Sequence, residues 1–313
     1  MKKYLLFVVG LVITLVSFSQ RKIVVAQDKT GDYTTVKEAL DAAPDSADTE
    51  TIIYIRKGVY KERLTLPATK SKIHLIGDDA ATTKLTFDNY ASKKDAAGKA
   101  FGTSGSASFF IYGSDFTAEN ITFENSSGPV GQALAVYVAG DRSKFIKCRF
   151  LGFQDTIYTH KRSRQYYEEC YIEGATDFIF GPAVAVFNKC TVFCKKGGQY
   201  LTAASTDEGA KFGYVFLNCK VTGDAPSSSC YLGRPWKPFA KVVFIKSTLG
   251  PQIKPEGWHN WNNASNEKTA YYAEYKNKGK GFKPKERVQW SHQLTKEEAQ
   301  EYTVANIFKD WKP

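Results

Sequence analysis

Residues 145–181 read FIKCRFLGFQDTIYTHKRSRQYYEECYIEGATDFIFG, and within them one phrase occurs twice. Phe145-Ile-Lys-Cys148-Arg-Phe150 returns as Tyr167-Glu-Glu-Cys170-Tyr-Ile172, with 22 residues between the two cysteines. The phrase recurs downstream as Phe187-Asn-Lys-Cys190-Thr-Val192, Phe216-Leu-Asn-Cys219-Lys-Val221 and Phe244-Ile-Lys-Ser247-Thr-Leu249. Each copy has an aromatic residue, a Cys or Ser three positions on, then an apolar residue after one more polar position. Steps of 20, 29 and 28 residues separate the later copies, with glycine-containing turns and no long amphipathic helix between them. Short strands that return at this spacing without crossover helices predict a solenoid of parallel strands. A sandwich of hairpins would need Asn-Gly or Asp-Gly turns, which are absent. Parallel crossovers are right-handed, so the fold class is all-β, a single-stranded right-handed parallel β-helix.

A solenoid must cover its ends, because open sheet edges invite further strands. Thr35-Val-Lys-Glu38 reads as a capping box opening a short helix with Val36, Leu40 and Ala43 on one face. Thr295-Lys-Glu-Glu298 opens another before Tyr302 and Ile307. These short capping helices are expected, one at each end. Unequal steps between copies mean loops of unequal length, and such loops line binding clefts.

The same 22-residue step relates Gln132 to Gln154 and Asp155 to Asp177. One coil apart in a parallel solenoid, such residues stack about 4.8 Å from each other. Two aspartates in one column, beside two glutamines in the next, combine a carboxylate pair with amide donors. The two charges repel, so one acid keeps its proton to higher pH than the other. Such a pair divides into nucleophile and general acid, and the amides suit an oxygen gaining negative charge. That set describes acyl transfer or ester hydrolysis. The plainer alternative is a polar ladder satisfying turn backbones. Against it, Asp155-Thr-Ile-Tyr158 and Asp177-Phe-Ile-Phe180 embed both acids in apolar surroundings, where idle charge is costly.

The rest of the chain sets the context. Lys2 and Lys3 precede an apolar run from Tyr4 to Phe18, and Ser17-Phe18-Ser19 forms a small-x-small cleavage site. This predicts a secretory leader over residues 1–19, too short for a membrane span, and a catalytic domain over 20–313 that is secreted or periplasmic. Without the two lysines the formal charge falls from +11 to +9, which suits an anionic partner. No Lys/Arg arm, zinc spacing or helix-turn-helix pattern points to nucleic acid. The six cysteines, at 148, 170, 190, 194, 219 and 230, form no metal-type pair, and the four histidines form no pattern with them. They read as structural. The chemistry calls for no metal and no organic cofactor, and a capped solenoid is expected as a monomer.

At its polar residues the chain resembles the pectin methylesterases, carbohydrate esterases acting on the methyl esters of homogalacturonan. The likeness begins with Gly31-Asp-Tyr-Thr-Thr-Val-Lys-Glu-Ala39 and Gly58-Val-Tyr-Lys-Glu62. It continues through Gln132-Ala-Leu-Ala-Val136, Gln154-Asp-Thr-Ile-Tyr158, Asp177-Phe-Ile-Phe-Gly181 and Leu232-Gly-Arg-Pro-Trp236. It ends in Glu256-Gly-Trp-His-Asn-Trp261 and Glu274-Tyr-Lys-Asn277, and so covers roughly residues 23 to 310. Five such pentapeptides in family order are highly specific.

The resemblance implies a role for each matching position. Asp177 would be the nucleophile, Asp155 the general acid and then base, and Gln132 and Gln154 the oxyanion donors. Arg234 would orient Asp177. Trp236 would stack on a galacturonate ring, Tyr158 and Phe180 would wall the sugar subsites, and Thr103 would touch substrate. Cys170 and Cys190 fall where family members often carry a disulfide. The partner would be pectin, an anionic homogalacturonan. Pro182, Ser108 and Lys278-Gly-Lys-Gly281 depart from the family pattern without touching the catalytic set. An inhibitor-like N-terminal region is not seen, which suits a bacterial-type enzyme.

Pectate lyases and polygalacturonases share the fold. A lyase of that kind needs an acidic calcium cluster and an arginine base, and a glycosidase has no use for two oxyanion amides. A non-catalytic pectin-binding solenoid has no need of the acid pair. Methanol release distinguishes the esterase from all of these.

Overall fold

The computed structural model describes residues 21–46 and 48–313, so the leader expected over residues 1–19 lies outside the described residues. The chain winds through three parallel sheets of eleven, eight and seven strands. Each full coil contributes one strand to each sheet, as Arg164–Glu168, Tyr171–Gly174 and Thr176–Gly181 do in turn. This is the parallel β-helix that the repeated phrase predicts.

The repeated phrases fall into register on successive coils. Phe145 pairs with Tyr167, Tyr167 with Phe187, Phe187 with Phe216 and Phe216 with Phe244. Their rings stack inside the coil with centroids 4.9, 4.6, 4.5 and 4.2 Å apart. Three positions on, Cys148, Cys170, Cys190, Cys219 and Ser247 are all buried. The inward column after them is Phe150, Ile172, Val192, Val221 and Leu249, also buried. At about 25 cal/mol per Å² of apolar surface, these columns supply the main driving force for coiling.

Between aromatic and cysteine the backbone turns a corner in a single residue. Lys147, Glu169, Lys189, Asn218 and Lys246 all lie in the left-handed region, with φ of 50, 52, 53, 55 and 50°. For residues other than glycine this costs roughly 1–2 kcal/mol each. The cost is offset because each corner N–H donates to a carbonyl of the following coil. The acceptors are Glu168, Asn188, Leu217, Ile245 and Tyr275 respectively, at 2.8–3.0 Å. The corner thereby joins the ladder.

Cys170 and Cys190 do sit one coil apart, but the disulfide expected between them is not formed, and all six cysteines are free. In-register neighbours hold parallel side chains about 4.8 Å apart, whereas a disulfide draws its Cβ atoms to about 3.8 Å. The thiols instead donate to carbonyls, Cys170 to Phe145 and Cys190 to Tyr167, both at 3.4 Å.

The helix Val36–Ala42 has its capping box and buries Val36, Ala39 and Leu40 over the first coils. Lys296–Gln300 also has its capping box, but it does not cover the far end. Together with Val304–Phe308 it packs along the outer face of the longest sheet. Ile307 and Phe308 meet Tyr166, Val186, Phe212 and Val215 there, and Leu294 meets Val243, Ile245 and Ala273. The far end is closed instead by Phe282, Val288 and Trp290 against the main core. The outward valines and tyrosines of that sheet needed an apolar cover, and the C-terminal helices supply it.

Candidate active site

The nine positions matched to catalysis or substrate contact come together in one cavity of about 290 Å³. Thr103, Gln132, Gln154, Asp155, Tyr158, Asp177, Phe180, Arg234 and Trp236 all line it. It opens on the outer face of the seven-stranded sheet: Tyr158, Asp177 and Phe180 lie in its strands, and Gln132, Gln154, Asp155, Arg234 and Trp236 in the segments that flank them.

Bridges pair Gln132 with Gln154 and Gln154 with Thr176. Asp155 and Asp177 follow the last two, so the aspartates occupy adjacent coils in one column, and the Asp155 N–H donates to the Thr176 carbonyl at 3.1 Å. Both aspartates are left-handed, with φ of 66 and 51°. Aspartate tolerates that region better than most residues, and strained backbone of this kind clusters at functional sites. A register shift between Thr176 and Ile179, relative to strand Tyr200–Ala204, places Asp177 at a bulge. Bulges re-aim a side chain, and this one does so on the side facing Arg234. The bulge is invisible in the sequence periodicity.

Arg234 follows strand Tyr231–Gly233 and grips Asp177 at two points. Its Nε donates to Oδ1 at 3.0 Å and its Nη2 to Oδ2 at 2.7 Å. Asp177 and Asp155 are 5 % and 7 % exposed. Burial pushes the Asp155 carboxyl up to about 8, helped by the Asp177 charge and partly opposed by Arg234. Burial raises Asp177 as well, against the hydrogen bonds and charge of Arg234. The two carboxyls are thus unequal: burial and the neighbouring charge favour the proton on Asp155, while the Arg234 grip favours the charged form of Asp177. Among the described residues the side-chain amides of Gln132 and Gln154 make no hydrogen bond to protein, which leaves their donors to the cavity they line.

Tyr158 and Phe180 stack at 4.3 Å with their planes 14° apart, and Trp236 meets both edge-on at 6.2 and 5.8 Å. Trp236 is 38 % exposed, a large apolar face turned to solvent at the rim. Thr103 lines the same cavity from the short helix Gly102–Gly105. Ser104, Ala203 and Trp261 also line the cavity without having been singled out. Trp261 closes the quoted Trp-rich segment, but nothing in its spacing ties it to Arg234, more than twenty residues upstream. Among the described residues no group of three or more His, Cys, Asp or Glu side chains is placed to hold a metal ion.

The family described as Pectinesterase matches residues 22–310. Pectinesterase 31 of Arabidopsis thaliana is 43% identical over 285 residues, covering 89% of each chain. Other relatives are longer: the chain spans 48% of the probable pectinesterase/pectinesterase inhibitor 13 of the same plant, at 38% identity. Among solved structures, the pectin methylesterase from carrot superposes with a TM-score of 0.83 at 35% identity over 92% of both chains. A pectin methylesterase in complex with a hexasaccharide superposes equally well, 0.83 at 29% identity, over 94% of this chain and 99% of that one. A match spanning nearly every described coil, on the fold and cavity seen here, means that the chain belongs to the pectinesterase family.

Proposed function

We propose that the chain hydrolyses the methyl esters of homogalacturonan, leaving free carboxylates on the polymer and releasing methanol. The carrying observation is the unequal acid pair: Asp177 in the two-point grip of Arg234, beside an Asp155 that burial and the Asp177 charge push up to about 8. The Asp177 carboxylate attacks the ester carbonyl carbon, and the carbonyl oxygen takes up negative charge against the amides of Gln132 and Gln154. As the C–O bond to methoxide breaks, Asp155 gives its proton to the leaving oxygen and methanol departs. An anhydride now joins Asp177 to the sugar carboxyl. Asp155, ionised, takes a proton from water; the hydroxide adds to the acyl carbon and expels Asp177 as carboxylate. Both acids return to their starting states.

Tyr158, Phe180 and Trp236 offer aromatic faces for galacturonate rings, and Thr103 a polar contact in the same cavity. A relative that holds a hexasaccharide supports an extended oligosaccharide as ligand. The net positive charge favours approach of a polyanion. The leader over residues 1–19 would deliver a monomeric enzyme outside the cytoplasm, where pectin is met. The test is methanol release from highly methylated pectin, with Asp177→Ala as control. The reading expects release without chain shortening by the parent and its loss in the variant. No methanol from the parent at any pH between 5 and 9 would overturn it.

A further inference from the structure

Arg234 is held in more than its own plane. The bidentate grip on Asp177 fixes the guanidinium within its plane but leaves it free to tilt about the line joining the two hydrogen bonds. Two aromatic rings remove that freedom. Its Cζ lies 3.7 Å from the ring centre of Trp261 and 3.9 Å from that of Tyr200. Arginine stacks on aromatic faces through both charge and planarity. Trp261 lines the substrate cavity, but Tyr200 does not.

Tyr200 opens strand Tyr200–Ala204 and pairs in register with Thr176, the residue before Asp177. It is 9 % exposed, and its other neighbours form a stack of their own. Tyr231 lies parallel to it at 5.4 Å, Lys254 caps Tyr231 at 4.6 Å, and His259 packs against both tyrosines. Among the described residues the Tyr200 hydroxyl makes no hydrogen bond, so the residue meets Arg234 with its ring face alone. Trp261 is itself left-handed, φ 61°, and its N–H donates to Nδ1 of His259. A bulky residue in that region is an outlier kept by its surroundings.

We propose that Tyr200 is a positioning residue for ester hydrolysis: its ring backs the Arg234 guanidinium and so keeps the Asp177 carboxylate ionised and aimed. The proposal rests on the esterase reading. Without the ring, Arg234 tilts, its hydrogen bonds to Asp177 weaken, and Asp177 binds a proton at higher pH. Substrate contacts are untouched.

The experiment compares Tyr200→Phe and Tyr200→Leu in the full chain, with methanol release from methylated pectin followed across pH. Tyr200→Phe keeps the ring face and should hold kcat within about twofold of the parent. Tyr200→Leu fills similar volume without a π face, and should lower kcat about tenfold with KM within about twofold, in line with a desolvated cation–π contact. Its acidic limb should move to higher pH. Carboxyl carbon NMR titration of Asp177 gives the same answer without turnover: its midpoint should rise in Tyr200→Leu and stay put in Tyr200→Phe. An unchanged Asp177 midpoint and acidic limb in Tyr200→Leu would overturn the proposal. Equal losses in Phe and Leu variants would also overturn it, because the face would then not be what matters. A parent that releases no methanol speaks against the esterase reading, while the NMR arm still decides the role of Tyr200.

Discussion

Two arginine–carboxylate pairs in this molecule have nearly the same bonding and opposite surroundings. In the cavity, Arg234 gives Nε and Nη2 to Asp177. At the closed end, Arg287 gives the same two nitrogens to Glu274, at 2.6 and 3.3 Å. The second pair is finished: Arg287 also donates to the carbonyls of Lys254, Pro255 and Gly281, and Asn277 donates to Glu274. Its side chains are 2 % and 0 % exposed. The first pair is left open. Arg234 is 20 % exposed and Asp177 keeps a face to the cavity beside a second acid. A satisfied buried pair holds shape, whereas an unsatisfied one retains reactivity. The two are also linked. Arg287 grips the carbonyls at 254 and 255, and the adjoining segment carries Trp261 to Arg234. Within it Gly257, at φ 72°, has room for no Cβ, which would meet Arg287 Cδ at 2.5 Å.

Substitutions that separate shape from reactivity test this contrast. The largest effect is expected for Asp177→Asn, whose methanol release should fall by about 10⁴-fold or more. Its melting midpoint should stay within about 3 °C of the parent, since the change costs no more than about 1 kcal/mol of folding. Glu274→Gln should behave in the opposite way. Stripping the partner from a buried arginine costs about 3–5 kcal/mol, which for a domain of this size lowers the midpoint by about 10 °C. Turnover measured well below that midpoint should stay within a few-fold. If it instead fell as far as in Asp177→Asn with stability intact, the contrast between the pairs would be wrong.

Arg234→Lys keeps the charge but loses the fork, and kcat should drop about a hundredfold with melting unchanged. The pH profile gives a smaller effect. Asp155 must start protonated, so activity should fall as pH rises through about 8, reaching about a tenth of the plateau one unit higher. Asp177 must start ionised, so activity is lost on the acid side. Smallest is a stability effect with the reverse sign from the usual carboxylate. The folded Asp155 carboxyl titrates above its unfolded value, so its contribution is complete below the unfolded value and is lost as pH rises through about 8. Asp155→Asn cannot ionise and should melt a few degrees above the parent at pH 9 while being inactive. A lower midpoint than the parent at that pH would show that the Asp155 charge is better accommodated than its burial implies.

The winding and the acid and amide columns of the cavity were legible by counting, for one physical reason, whereas Thr103, Tyr158, Phe180, Arg234 and Trp236 came only through the family resemblance. In a solenoid, equal spacing along the chain becomes adjacency across it, so the column of Phe145, Tyr167 and Phe187 and the pair Asp155 and Asp177 could be read by counting. What escaped has no period. The bulge at Asp177 is a local change of register. Tyr200 and Trp261 reach Arg234 from separate coils at unrelated spacings. The C-terminal helices were recognised by their caps, but a capping box fixes where a helix begins and says nothing of the face it will cover. The free thiols of Cys170 and Cys190 likewise reflect how parallel side chains stack, which spacing alone does not resolve.

The tail along the longest sheet has a consequence for how the molecule comes apart. A pure solenoid is close to one-dimensional: each coil leans only on its neighbours, and unravelling can start at either end and spread turn by turn. Here residues 295–313 return past several coils. Asp310 accepts from Arg164 at 2.8 Å, and Phe308 packs edge-on against Tyr166, while Lys211 holds Glu301 along the way. The last coil therefore cannot loosen without tugging on the coils that carry Asp155 and Asp177. Fraying at that end is thereby coupled to the centre of the molecule, which makes unfolding more cooperative than in a solenoid whose coils touch only their neighbours.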